Sequence, residues 1–254
     1  MSGCSQLTAD GRNSQGVKYY QQSRYDLALS EFQTAANQNP SDANSYYNIA
    51  STYHKLGMTN NDASYYGQAE QYYRLCLTKD PNHVNCHRGL AVLMIETGRI
   101  QEAFQMMRDW ELSIPGSPEP KIELARLYQE LGHPQEAVSY LTAAVASDPK
   151  NERAYNALAY SREQSGDLAQ ALANYQVSYQ INPYQPEIAA KITQLGGTIP
   201  TATNMVAHTN IATNNALAAN GVATQSVVPP SLAPTPNLDT PTRIASRNRF
   251  GAGM

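Results

Sequence analysis

Residues able to do metal, proton-transfer or nucleophilic chemistry are few in this chain. The densest run is His83-Val84-Asn85-Cys86-His87. Imidazole and thiol groups are the ligand types that bind zinc, copper and iron. The haem-attachment run, however, opens on Cys, and here His83 stands in that place. The run therefore reads as ordinary polar surface. The chain has no glycine-rich phosphate loop and no His-Glu-x-x-His helix. Ser, His and Asp occur without a recognisable nucleophile setting. These residues predict a non-catalytic protein with no cofactor and no bound metal.

The elements that would position such residues follow from composition and periodicity. At 254 residues the chain could hold one large domain or two. Charged residues make up 15% and the net charge is −3, which is not the balance of a nucleic-acid binder with its basic face. No nucleic-acid partner is expected. Tyrosine is abundant, at 17 residues against 3 Phe and 1 Trp. No stretch approaches 18 consecutive apolar residues, and the start shows no basic segment followed by an apolar core. Neither a transmembrane helix nor an intact signal peptide is expected.

Composition breaks near Gly196-Gly197. Before it stand 15 Lys+Arg against 20 Asp+Glu, a balance of −5. After it, Arg243, Arg247 and Arg249 face only Asp239, a balance of +2. This tail is mostly Thr, Ala, Asn, Ser and Pro, and Phe250 is its only aromatic residue. Too little apolar surface is available there to offset ordering entropy. Residues 197–254 are expected to be disordered, and residues 1–8 form a short leader.

Between these ends the sequence repeats. Pro81, Pro115, Pro149 and Pro183 are 34 residues apart, as are Ala69, Ala103, Ala137 and Ala171, and Gly98, Gly132 and Gly166. One period shows the logic. Leu124, Ala125, Tyr128 and Leu131 share one helical face. Gly132 suits the left-handed end of that helix, and Pro134 suits the first turn of the next. Ala137, Val138, Leu141, Ala144 and Val145 form the second stripe. Asp148-Pro149 then breaks the chain, and Asn151 is placed to cap the following helix. A helix-turn-helix unit of this length that recurs builds a stacked array.

The pattern resembles the tetratricopeptide repeat (TPR). Repeat one, 9–42, carries Gly16, Tyr19, Ala28, Phe32, Ala35 and Pro40. Repeat two, 43–83, carries Ala50, Tyr53, Ala69, Tyr73, Cys76 and Pro81. Repeat three, 84–117, has Ala91, Met94, Ala103, Met107 and Pro115, with Trp110 where Ala is expected. Repeat four, 118–151, has Ala125, Tyr128, Ala137, Leu141, Ala144 and Pro149. Repeat five, 152–185, has Ala159, Ala171, Tyr175 and Pro183, with Arg162 in an aromatic slot. Repeat two is seven residues too long. The excess around Met58–Ser64 is expected in the turn between its helices, as a neutral longer turn or as a partner contact. Residues 186–195 are expected to form a helix capping the last open face.

The resemblance implies an all-α fold, a right-handed α-solenoid of five tandem repeats with a capping helix. It implies protein–protein interaction, with the first helices lining a concave groove for a peptide or helix. The family register places Tyr20, Asn44, Tyr47, Asn48, His54, Arg88, Arg126, Arg153, Asn156, Tyr160 and Glu163 in that groove, either as partner contacts or as solvated wall. Asn offers both donor and acceptor to a peptide backbone, and Arg can fork onto a carboxylate. The Lys/Asn clamp of TPR cochaperones is not reproduced. Asn13 and Val17 occupy its first-repeat positions and only Asn48 matches, which argues against a chaperone C-terminus as ligand. The same register sets Cys76 and Cys86 on facing helices, either as a disulfide or as two buried thiols.

Ser2-Gly3-Cys4-Ser5 resembles the end of a bacterial lipoprotein signal, in which Cys4 would be acylated. Only three residues precede Cys4, so that reading requires a truncated or misassigned start. If Cys4 carries lipid, the array hangs from a membrane without spanning it. The chain is then similar to the TPR lipoproteins of the cell envelope, the pilotins that assist pilus or secretion-system assembly. Otherwise it is a soluble cytoplasmic TPR adaptor or a regulatory subunit.

Overall fold

The computed structural model describes residues 7–200. Cys4 lies outside them, as does the expected disordered tail from residue 201 onward.

Eleven α-helices follow one another, and no strand occurs among the described residues. They are α1 (Ala9–Gln21), α2 (Tyr25–Gln38), α3 (Ala43–Asn60), α4 (Ala63–Lys79), α5 (Val84–Glu96), α6 (Ile100–Ser113), α7 (Glu119–Glu130), α8 (Pro134–Ser147), α9 (Glu152–Gln164), α10 (Leu168–Ile181) and α11 (Pro186–Gln194). Each repeat frames one pair. Each helix packs against the next, and the first helices of neighbouring repeats also touch. The result is a solenoid of tandem helical repeats closed at one end by α11. No helix among the described residues is long and apolar enough to cross a membrane.

The pairs form for reasons visible residue by residue. Thr8, Asp42, Asp62, His83, Asn151 and Asp167 cap their helices through side-chain acceptors. Pro134 opens α8, where its missing amide donor is not needed. Gly98, Gly132 and Gly166 take φ of +79°, +83° and +84° in the turns within repeats three to five, a conformation glycine adopts without steric cost. Ala28, Ala69, Ala103, Ala137 and Ala171 are all fully buried. At these five equivalent points the absence of a longer side chain lets two helices approach closely. Phe32, Tyr73, Met107, Leu141 and Tyr175, each four residues further on, fill the space between helices.

Repeat two departs from the expectation. Gly57 is not in a turn; it is buried within α3. The extra residues extend α3 to 18 residues and α4 to 17, against 12 to 14 in the other paired helices. The turn moves to Asn61, which takes the left-handed conformation at φ 51°. Two longer helices keep their backbone hydrogen bonds, whereas a longer loop would leave those groups to water. Gly57 serves a packing purpose instead. A Cβ there would stand 2.9 Å from Cε1 of Tyr66 on α4.

At the far end the chain stays with the array beyond residue 196. Gln176 Nε2 donates to Thr198 O (3.2 Å), and Gly197 lies so close to Leu172 that a Cβ would approach its Cδ1 to 2.5 Å.

Candidate functional site

The face built by α1, α3, α5, α7 and α9 carries the side chains that the register assigns to the groove. Its first stretch is amide-rich. Asn48 Nδ2 donates to Asn13 Oδ1 (3.3 Å), and Asn13 Nδ2 donates to Asp42 Oδ2 (3.0 Å) and Ser45 Oγ (2.8 Å). Asn13 and Asn48 thus link repeat one to repeat two. Tyr20 is half-buried with its ring 5.4 Å from that of Tyr25. Burial, reinforced by the Tyr25 and Tyr47 phenols, pushes its hydroxyl up to about 12, so it remains a donor. Tyr47 packs 6.3 Å from Tyr73 and 5.7 Å from His83. Asn44 is exposed, and its Oδ1 accepts from His83 Nε2 at 3.1 Å.

His54 belongs to the interior. It is 7% exposed, with Nε2 2.8 Å from Glu96 Oε2 and Nδ1 3.4 Å from the Tyr73 hydroxyl. Both ring nitrogens are occupied, so the expected partner contact by His54 is replaced by a tie between α3 and α5.

The arginines depart furthest from expectation. Glu123 on α7 is 1% exposed. Arg88 grips it with two bonds, Nε to Oε2 at 2.8 Å and Nη2 to Oε1 at 2.5 Å. Arg126 Nε lies 3.3 Å from Glu123 Oε2, and Arg153 Nη2 lies 3.6 Å from Oε1. Arg153 Nη1 also donates to Glu119 Oε2. Three guanidinium groups from three repeats therefore converge on one buried carboxylate. A buried charge must be compensated, and these cations do so within the chain. The Glu123 hydrogen bond holds Arg88 more firmly in its charged form. Arg88 is not a free fork waiting for a partner's carboxylate.

The last stretch is similar. Asn156 Nδ2 donates to Gln185 Oε1 (2.6 Å), while its Oδ1 is buried without a partner among the described residues. Glu163 accepts from Lys191 Nζ (2.6 Å) and from the Tyr175 hydroxyl (2.9 Å). Lys191 lies on α11, so this pair fastens the capping helix. Tyr160, on α9, is 39% exposed.

Sequence reasoning missed Glu123, Glu119, Glu96, Gln185 and Lys191. A signal for two of them exists. Arg88 and Glu123 are 35 residues apart, and Arg153 and Glu119 are 34 apart. Opposite charges about one period apart fall side by side in an array.

Beside this face, Cys76 in the last turns of α4 and Cys86 in the first turn of α5 are joined as a disulfide, with Cα atoms 6.4 Å apart. His87 points elsewhere. Its ring stacks on Trp110 at 4.0 Å and its Nε2 donates to Pro81 O (2.8 Å). The large Trp110 at a position normally held by Ala is accommodated by that stack and by donation from Nε1 to Asn82 Oδ1 (3.2 Å).

Family models of the tetratricopeptide repeat match this chain over residues 16–57, 43–83 and 122–186. With paired helices in the same register, the chain belongs to the TPR proteins, whose fold is that of a protein-interaction scaffold. Among solved structures it is similar to TTC0263, a thermophilic TPR protein of Thermus thermophilus. The two are 22% identical with a TM-score of 0.54, over 74% of this chain and 98% of that one. YrrB, a TPR protein with an unusual peptide-binding site, is 16% identical at a TM-score of 0.41, over 73% and 92% of the two chains. MamA from Desulfovibrio magneticus RS-1 is 15% identical at 0.42, over 70% and 96%. At these identities the likeness concerns the fold alone. No curated protein matches the chain.

Proposed function

We propose that the first-helix face binds an extended peptide or a helix of a protein partner, without catalysis. The supporting observation is that polar side chains from successive repeats are already held by bonds across repeats: Asn13 with Asn48, Arg88 with Glu123, Arg153 with Glu119. Side chains fixed before binding lose less entropy on binding. Because Arg88 and Arg153 are held by Glu123 and Glu119, the face favours contacts from Asn44, Asn48, Tyr47 and Tyr160 over recognition of an acidic motif. Photo-crosslinkers placed at Tyr160 and, as a control, at Leu112, which is exposed on α6, test this. The expected outcome is a partner adduct at 160 and none at 112. Adducts that disappear only when the Met58–Ser64 segment is shortened would move the binding surface to the turn edge.

The proposed setting is the cell envelope, with Cys4 acylated and the scaffold assisting pilus or secretion-system assembly. Two features support it: the Ser2-Gly3-Cys4-Ser5 run and the Cys76–Cys86 pair, since disulfides persist in oxidising compartments. Expression from the natural locus, followed by fatty-acid labelling and detergent partition, tests it. Incorporation of label that Cys4→Ala abolishes is expected. An unlabelled, aqueous-phase protein would favour the cytoplasmic adaptor.

A further inference from the structure

The corner between α4 and α5 brings a third ligand-type side chain to the two sulfurs. Single ligand atoms of Cys76, His83 and Cys86 all lie within 4.8 Å of one another. They come from the end of α4, the residue capping α5, and its first turn, joined by a short connection. Both cysteines are fully buried, and His83 is half-buried.

We propose that Cys76, His83 and Cys86 form a zinc site when the two sulfurs are not bonded to each other. Two thiolates and one imidazole are a ligand set that zinc accepts, with the fourth position left for water or another donor. Zinc–sulfur bonds of about 2.3 Å at a tetrahedral angle set the sulfurs about 3.8 Å apart. The Cα separation of 6.4 Å lies toward the wide end of the span of about 4.4–6.8 Å usual for a disulfide. The backbone frame therefore admits the wider pair of thiolates through side-chain rotation.

The imidazole is held in one tautomer and one orientation by its neighbours. The amide of Cys86 donates to His83 Nδ1 at 3.2 Å, so in the disulfide form the Nδ1 lone pair serves the helix cap, and zinc takes it only as that bond is given up. The proton then sits on Nε2, and Nε2 donates to Asn44 Oδ1 at 3.1 Å. A metal-binding histidine ordinarily has its other nitrogen held by such an acceptor, which fixes ring orientation and tautomer. Asn44 comes from α3, so the orienting contact crosses from the preceding repeat. His87 stands outside this cluster, with its ring stacked on Trp110.

The chemistry balances with one external reductant. A dithiol reductant passes two electrons and two protons to the disulfide, giving two thiols and the oxidised form of the reductant. Zinc then displaces one proton from each thiol to solvent as two Zn–S bonds form. A newly made chain whose cysteines have not yet been oxidised reaches the same state without the first step.

The test uses the full chain, reduced with a phosphine and kept free of oxygen, titrated first with Co2+ alone and then with Zn2+. The reduced protein is expected to bind one Co2+ with thiolate-to-cobalt charge-transfer absorption, and stoichiometric Zn2+ should discharge that absorption. The oxidised protein, identical in sequence, should show none. His83→Asn keeps an acceptor at the cap position but removes the imidazole. It should weaken binding at least tenfold and shift the cobalt bands. Asn44→Ala should weaken it by about tenfold, as loss of an orienting partner does. Absence of thiolate bands in the reduced wild type overturns the proposal. So does wild-type affinity in His83→Asn. Should reduction unfold the corner, recovery of the native far-ultraviolet circular dichroism on adding Zn2+ supports the site, and failure to recover it counts against it.

Discussion

Arg88 and Glu123 face each other across the boundary of repeats three and four, joined by two hydrogen bonds of 2.8 and 2.5 Å. The carboxylate is almost wholly buried, while the guanidinium side chain keeps 26% of its surface exposed. The pair is a hinge pin between repeats as well as part of the first-helix face. Glu123→Ala would leave three guanidinium groups crowded around an empty position. Breaking a buried pair from one side costs about 3–5 kcal/mol, and the partial exposure of Arg88 places this case near the lower figure. Urea denaturation should show that loss. Glu123→Gln should lose less, because it retains an acceptor. An unchanged midpoint for Glu123→Ala would mean the carboxylate is not buried as described.

Two glycines should respond in opposite directions. Gly16 on α1 stands so close to Phe32 that a Cβ would lie 2.4 Å from its Cε1, and Phe32 is itself buried. Alanine in place of glycine gains about 1 kcal/mol of helix propensity, but overpacking costs about 1–3 kcal/mol. Gly16→Ala should be destabilising on balance. Gly67 on α4 has nothing within 4 Å of a built Cβ. Gly67→Ala should stabilise by about 0.5–1 kcal/mol. Thermal melts of the two variants check the pair, and shifts in the same direction would contradict the packing at Gly16.

Ala137 is fully buried where α7 meets α8. Leucine there must push the two helices apart. Ala137→Leu should destabilise by about 1–3 kcal/mol, read from the denaturation midpoint. A neutral effect would place Ala137 toward solvent.

The capping helix should loosen in acid. The hydrogen bond from Lys191 holds the Glu163 carboxyl below its ordinary value of 4.5. The pair's stabilising effect is therefore complete above that value and is lost as pH falls through the lowered one. Hydrogen exchange at α11 should rise in that acidic window while exchange in α7 and α8 rises later. Lys191→Met should remove the pH dependence of α11.

Much of the array is legible in one dimension. The alanines at 28, 69, 103, 137 and 171 and the glycines at 98, 132 and 166 mark helix contacts and turns, because these depend on residue type at a fixed place in a repeat. The site is less legible. Asn48 and Tyr160 lie on the first helices α3 and α9, and nothing local shows that His54 turns inward to Glu96. Burial depends on what the neighbouring repeat supplies.

The sequence by itself determined the period, the pairing of helices and the capping segment at 186–195. Each rests on local propensity and apolar periodicity, which a single chain carries openly. Tertiary structure decided the rest. Glu123 became the meeting point of Arg88, Arg126 and Arg153 only when three repeats stacked. Gly57 lies inside α3 because the extra residues of repeat two lengthen its helices and move the turn to Asn61. Cys76, His83 and Cys86 came together because α4 and α5 bend the chain back on itself, and the orienting contact from Asn44 reaches across 39 residues. Distances across repeats are set by packing, and packing is a property of the folded array rather than of any segment in it.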